Sequence, residues 1–368
     1  MNVCLLPICF NNKWFKQLKV LVVILNKDNA EGLKETLSSL AQQVNLTLCK
    51  DFDVLIMDGL SKDGSEAVAE DFRRRYECIK FKKQVFPGGV GAARVEAVKY
   101  ALENGYEAVI WGDSENTYSK DYVSKFIACV DSNDCLIFSG CSKVKHESIW
   151  SRFFYWYHAY HHLFSYVRRK HAPGNNKLVL TKAYEIAVYP AISRSDDFFF
   201  SLSVNGSKIC HCPDAVVYIS VPKTFRDVVA WQRNRVKGLV EGSLLNGRSM
   251  PPDFIPWFLF LLSPLFLLLY HLTSPYVLIG PFLQLFTWFI DSTAVLLTLG
   301  MLVKLEILAK NNYERYKPLQ SLLGLAGMFL HAFFTTYYTL KYVKLLRSRK
   351  DEIVLKDRKV KEYFGFLK

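Results

Sequence analysis

Apolar and polar positions divide this chain into two unlike parts. Up to about residue 250, short apolar runs alternate with amphipathic stretches; beyond it, long apolar runs take over. Residues 18–25 form a run that is apolar apart from Lys19, the pattern of a strand buried on both faces. Over 29–42 the spacing turns helical, with Leu33, Leu37 and Leu40 on one face. Residues 52–57 predict a second strand, ending at Asp58. A helix is predicted over 66–76, and another over 92–104 with Val95, Val98 and Leu102 inward. A further strand over 108–111 delivers Asp113 at its end. Such alternation implies an α/β domain with a doubly wound, mostly parallel sheet. Ligands of these sheets lie at the carboxyl ends of the strands. Asp58 and Asp113 should therefore face one crevice.

Three later segments, 254–272, 276–303 and 319–340, are each long enough to cross a hydrocarbon core about 30 Å thick. The chain then divides into an N-terminal segment 1–17, an α/β domain 18–250, a membrane domain 251–345 and a basic tail 346–368. The early apolar run at 3–10 is too short for a span and lacks the basic start of a signal peptide. Residues 149–169 stand out: Trp150, Phe153, Phe154, Tyr155, Trp156, Tyr157, Tyr160, Phe164 and Tyr166 fall within them, with His158, His161 and His162 inside and His171 just beyond. Trp and Tyr favour a helix in the membrane interface; a buried helix offering an aromatic wall for sugar stacking is the alternative.

Charge narrows the partners. The 368 residues carry a net charge of +13, which suits nucleic acid or an anionic membrane with anionic substrates. No helix-turn-helix, zinc-finger or RNA-motif pattern is evident, so nucleic acid is set aside. Lys and Arg concentrate at 341–361, directly after an apolar segment, as juxtamembrane lipid contacts do. The nine cysteines form no secreted-type framework. A reducing cytosol and free thiols are expected. Cys210-His211-Cys212 fits an alternating strand better than a zinc site, because a second ligand pair is missing.

Chemistry enters with Asp113 and Glu115, one residue apart at the end of a strand. Carboxylates at that spacing can share one hard divalent cation, and such a cation commonly brings a phosphate. Alone, such a pair is most often a solvated turn; what precedes and follows it gives it weight.

Those surroundings resemble the family 2 glycosyltransferases, inverting enzymes of the GT-A fold that use nucleotide-sugars. The likeness runs from about residue 20 to 242. Val23-Ile24-Leu25-Asn26-Lys27-Asp28-Asn29 resembles the family's opening strand and turn, with Leu25 where a Pro is usual. Asp58-Gly59-Leu60-Ser61-Lys62-Asp63-Gly64-Ser65 resembles its DDGSxDGT loop, with departures at Gly59 and Leu60. Gly91-Ala92-Ala93-Arg94 resembles the loop ahead of the metal strand. Asp113-Ser114-Glu115 stands at the DxD position, with Glu for the second Asp. Asn116-Thr117-Tyr118 continues as in polyprenyl-phosphate sugar synthases. Gly174-Asn175-Asn176-Lys177 resembles the acceptor-side segment, and Ser195-Asp196-Asp197 the segment carrying the base. Gln232-Arg233-Asn234-Arg235-Val236 resembles the QxxRW of hyaluronan and cellulose synthases; Val236 replaces the Trp, which argues against processive polymer synthesis.

The resemblance implies a role for each residue. Asp113 and Glu115 would hold Mg²⁺ or Mn²⁺. Asp28, Asp58, Arg94, Asp113, Gln232 and Arg235 would bind the donor, a UDP- or GDP-sugar. Asp197, with Asp196 second, would be the base. Two adjacent acids can raise one pKa by repulsion and burial, which suits a base. The acceptor would be a polysaccharide or a lipid-linked group, and a polyprenyl phosphate is the alternative. A multi-pass cell-membrane enzyme with a cytosolic catalytic domain follows. A catalytically inactive membrane scaffold is the reading from another class. Three spans would place the basic tail opposite the catalytic domain, against the positive-inside tendency.

Overall fold

A computed structural model describes residues 18–367 apart from 88, 146–147, 159–169, 205–208, 278–280 and 313–315. The N-terminal segment 1–17, His158's side chain, and His161 and His162 thus lie outside the described residues.

Eight strands form one sheet in the order β3-β2-β1-β4-β7-β6-β8-β5. β1 (Val20–Asn26), β2 (Phe52–Asp58), β3 (Ile79–Lys83) and β4 (Ala108–Asp113) are mutually parallel, and Leu25 of β1 stands beside Asp113 of β4. Beyond β4 the direction changes. β7 (Lys177–Leu180) runs antiparallel to both β4 and β6 (Ile137–Val144). β8 (Ile209–Ile219) is parallel to β6, and β5 (Asn116–Tyr118) is antiparallel to β8. The sheet is therefore mixed rather than mostly parallel. Its antiparallel part lies in residues 116–219, where the apolar runs are short and carry no crossover signal.

Helices cover both faces. α1 (Ala30–Ala41), α2 (Ser65–Arg75) and α4 (Tyr122–Asp131) close one core around Leu37, Ile56 and Phe126. α3 (Val90–Glu103) and α6 (Asp196–Ser203) close the other around Val95, Trp111 and Phe200. α1 starts where Asn29 caps it, its Oδ1 accepting the Gly32 N–H at 3.2 Å. α7 (Phe225–Leu245) starts at a capping box between Thr224 and Asp227.

Five helices follow or flank this domain. α5 (Ile149–His158) is buried through Phe154, Tyr155 and Trp156. Trp156 packs its ring against Trp257 and His331, so the described part of this segment packs on the C-terminal helices. α8 (Phe254–Val277) and α9 (Pro281–Asn312) are long and apolar enough to cross a membrane. α10 (Gln320–Arg347), expected as a third span, is not. Its polar residues Gln320, His331, Thr335 and Thr339 are buried against the other helices, while Leu322, Phe333, Tyr337 and Leu340 are exposed. The apolar count of that segment hid a polar stripe. Last, α11 (Lys350–Tyr363) turns back, and Val360 and Phe364 complete the core beneath α3.

The free-thiol expectation is overturned. Cys49 pairs with Cys78, Cys129 with Cys212 and Cys135 with Cys210. Cys210 and Cys212 project from one face of β8, as alternation requires; Cys212 bonds to the last turn of α4 and Cys210 to the segment between α4 and β6. Partners 75 and 83 residues apart leave no local spacing signal.

Candidate active site

The crevice forms at the carboxyl ends of β1, β2 and β4. The turns after β1 and β2 are stitched together. Asp58, 1% exposed, accepts from Asn26 Nδ2 and Ser61 Oγ on one oxygen, at 2.8 and 2.6 Å, and from the Ser61 N–H on the other, at 2.8 Å. Asp63 accepts the Ala30 N–H at 2.8 Å. Asp28, in the left-handed region at φ 48°, takes the Lys62 N–H at 2.7 Å and keeps an exposed carboxylate. Asp58 thus holds the turn, while Asp28 stands at its surface.

Asp113 ends β4, and the Ser114 N–H donates to the Leu25 carbonyl at 3.0 Å. Burial raises the Asp113 carboxyl above its ordinary range, against the charges of Arg94 and Arg194. Burial, then the like charge of Asp113, pushes Glu115 up to about 7. Because Glu115's surface is open, the like charge is the cause that holds against solvent. Two crowded carboxylates, one of them exposed, fit a hard divalent cation that completes its shell with water and diphosphate oxygens. Among the described residues no group of three or more His, Cys, Asp or Glu forms a closed metal cage. Two protein donors are what such an open site requires.

The second acid pair begins α6. Ser195, in the left-handed region at φ 61°, turns the chain so that Asp196 and Asp197 point apart. Asp196 goes inward, where its carboxylate meets Arg94 Nε at 2.9 Å with both side chains 3% exposed. Arg94 also donates to the Gly174 carbonyl at 2.9 Å and lies 4.7 Å from the Trp111 ring centre. A Cβ on Gly174 would sit 2.8 Å from the guanidinium, so only glycine admits this approach. Burial raises Asp196 to about 6 despite Arg94. Asp197 stays partly open and meets His171 Nε2 at 3.2 Å. Burial works to raise it, but His171, Lys177 and Arg94 outweigh that and hold it below the ordinary range. The repulsion expected within the pair falls on Asp196, not on the intended base.

Three groups escaped sequence reasoning. Lys177 is fully buried, and its Nζ has no hydrogen-bond partner among the described residues. It lies 5.0 Å from the Tyr189 ring centre, and burial and Arg94 push it down to about 7, against the pull of Asp197, Asp196 and Asp113. Arg194 is exposed and close enough to lower both Asp113 and Glu115. His171 steadies Asp197. Only the residue before the acid pair, Arg194, had a signal: a basic side chain beside a motif.

Gln232 and Arg235 lie elsewhere than the resemblance implies. The Gln232 amide donates to Nδ1 of His331 at 2.8 Å, leaving that ring's proton on Nε2. Arg235, 8% exposed, donates to Gln232, to Asp253 at 3.4 Å and to Thr335. Their side chains join α7 to α10. Only the backbone of Arg235 reaches the acid loop, accepting from Ser195 Oγ at 3.3 Å.

Residues 19–194 match the glycosyl transferase family 2 model. That match takes in 176 of the 368 residues, just under half of the chain. Undecaprenyl-phosphate mannosyltransferase of Micrococcus luteus is 24% identical over 120 residues, 33% of this chain and 47% of that protein, so the chain spans about half the length of this curated relative. Among solved structures, the mannosyltransferase PcManGT from Pyrobaculum calidifontis, in complex with GDP-Man and Mn²⁺, is 16% identical. It covers 87% of each chain at a TM-score of 0.55, a likeness of fold that extends past the family 2 domain into the C-terminal helices. S. aureus TarS with UDP-GlcNAc is 18% identical over 61% of this chain and 67% of its own, at a TM-score of 0.45. The fold is α/β and GT-A-like, followed by C-terminal helices.

Proposed function

We propose that this protein moves a sugar, with inversion, from a nucleotide-sugar donor to a membrane-associated acceptor. The observation that carries this reading is the meeting of two acid pairs, Asp113/Glu115 and Asp196/Asp197, across one crevice at the ends of parallel strands. Asp113 and Glu115 would hold Mg²⁺ or Mn²⁺, which when bound neutralises the departing diphosphate as a Lewis acid. Arg194 and Lys177 add positive charge on the same side. Asp28, exposed at its turn, takes the nucleoside, and Asp58 keeps that turn in place. Arg94 secures Asp196 and so aims α6.

Asp197 is left to face the acceptor. Held below the ordinary range, it is ionised at any working pH, ready to accept a hydrogen bond yet a weak base. This favours an acceptor that is already an oxyanion, hence a polyprenyl phosphate over a sugar hydroxyl. The named activity of the Micrococcus luteus relative is consistent with that choice. α8 and α9 would cross the membrane as a pair. Because α11 packs on the catalytic domain, an even number of crossings returns the chain to the side it left, and the basic tail joins the domain on one face of the membrane.

The test is transfer itself. Purified protein with Mn²⁺, a panel of UDP- and GDP-sugars and a short polyprenyl phosphate should release nucleoside diphosphate and form a lipid-linked monosaccharide. A soluble oligosaccharide lengthened instead would reject the lipid-phosphate acceptor.

A further inference from the structure

The acid pair hangs on a short loop, residues 190–195, and that loop is held from three directions. From α3, the Val90 and Gly91 N–H groups donate to the carbonyls of Ser193 and Ile192, at 3.2 and 3.1 Å. From α7, Glu241 accepts the Ser193 N–H at 2.8 Å, and Gly238 lies so close that a Cβ there would be 2.1 Å from the Arg194 oxygen. The third hold comes from the other end of the chain. Asp357 on α11 accepts the Ala191 N–H on its Oδ1 at 2.7 Å, across 166 residues, while its other oxygen meets Lys361 at 2.8 Å. Ala191 is 2% exposed, so water is poorly placed to substitute for that carboxylate.

We propose that Asp357 is a positioning residue for Asp196 and Asp197. It acts through the loop: fixing Ala191 fixes the approach to Ser195, whose left-handed turn divides the two acids. The inference rests on the sugar-transfer reading for its catalytic consequence, though not for the clamp. It assigns a role to the helix beyond the apolar pair: the C-terminal tail is part of the scaffold that aims the active site.

Full-length protein tests it with three variants. Asp357→Ala should lower kcat about tenfold with donor KM within about twofold, because the metal and nucleotide side is untouched. Asp357→Asn keeps an acceptor oxygen and should retain wild-type kcat. Lys361→Ala, which breaks only the ion pair, should do the same. Amide exchange, read without turnover, should speed at Ala191 and Ser193 in Asp357→Ala alone. An alanine variant with wild-type kcat and unchanged exchange overturns the proposal. So does an asparagine variant as impaired as alanine. Faster exchange in Asp357→Ala, with a wild type that transfers no sugar, upholds the clamp and rejects the transfer reading instead.

Discussion

At the scale of single residues, the two members of the second acid pair should respond differently to the same change. Asp197→Asn removes the carboxylate that orients the acceptor and should lower transfer by roughly 10²-fold while donor binding persists. Asp196→Asn strips the partner from a buried guanidinium and should cost about 3–5 kcal/mol of stability. Thermal melts and a donor titration on both variants separate the two. An Asp196→Asn protein as stable as wild type would sink the structural role. Glu115 gives a pH signature. Its folded pKa is raised, so the metal-free domain keeps Glu115's contribution below the ordinary carboxylate range and loses it as pH rises through about 7. Mn²⁺ binding should release protons near pH 6 and almost none at pH 9, measurable by calorimetry in buffers of different ionisation enthalpy. Equal release at both would remove Glu115 from the site. The positions of these acids are legible in the sequence because strands β1, β2 and β4 are unbroken apolar runs that deliver acids at their ends. Their division of labour is not, since it depends on Arg94 and His171 arriving from other elements.

At the scale of elements, the disulfides and the α7–α10 joint carry the account. Each bridge closes a loop of 29, 75 or 83 residues, worth about 3–5 kcal/mol by chain entropy. Reduction, verified by thiol titration, should lower the Tm by roughly 10 °C or more. An unchanged Tm would contradict the pairing. The strand β8 is readable from its alternation, but the partners of Cys210 and Cys212 are not, because folding alone brings α4 beside it. α10 misleads for a related reason. Its Thr and His positions lie on the one face that meets α5 and α7, and the side chains of Gln232 and Arg235 bond to that face. A motif marks the helix without saying which side of it works.

At the scale of the whole molecule, the tail decides the topology. Val360 and Phe364 are buried in the same core as Val95 and Trp111, so a crossing by α8 and α9 as a pair would leave tail and catalytic domain on one side. In sealed inside-out vesicles, protease should reach both the domain and residues 346–368. Protection of the tail alone would require an odd number of crossings. The central claim is that Asp113 and Glu115 use a divalent cation to transfer sugar from a nucleotide-sugar, and nucleoside diphosphate release measures it most directly. With Mn²⁺ or Mg²⁺ one UDP- or GDP-sugar should yield diphosphate and a glycosylated lipid phosphate, and excess EDTA or Glu115→Gln should abolish both. Undiminished transfer in EDTA, or no turnover with any donor, would contradict it.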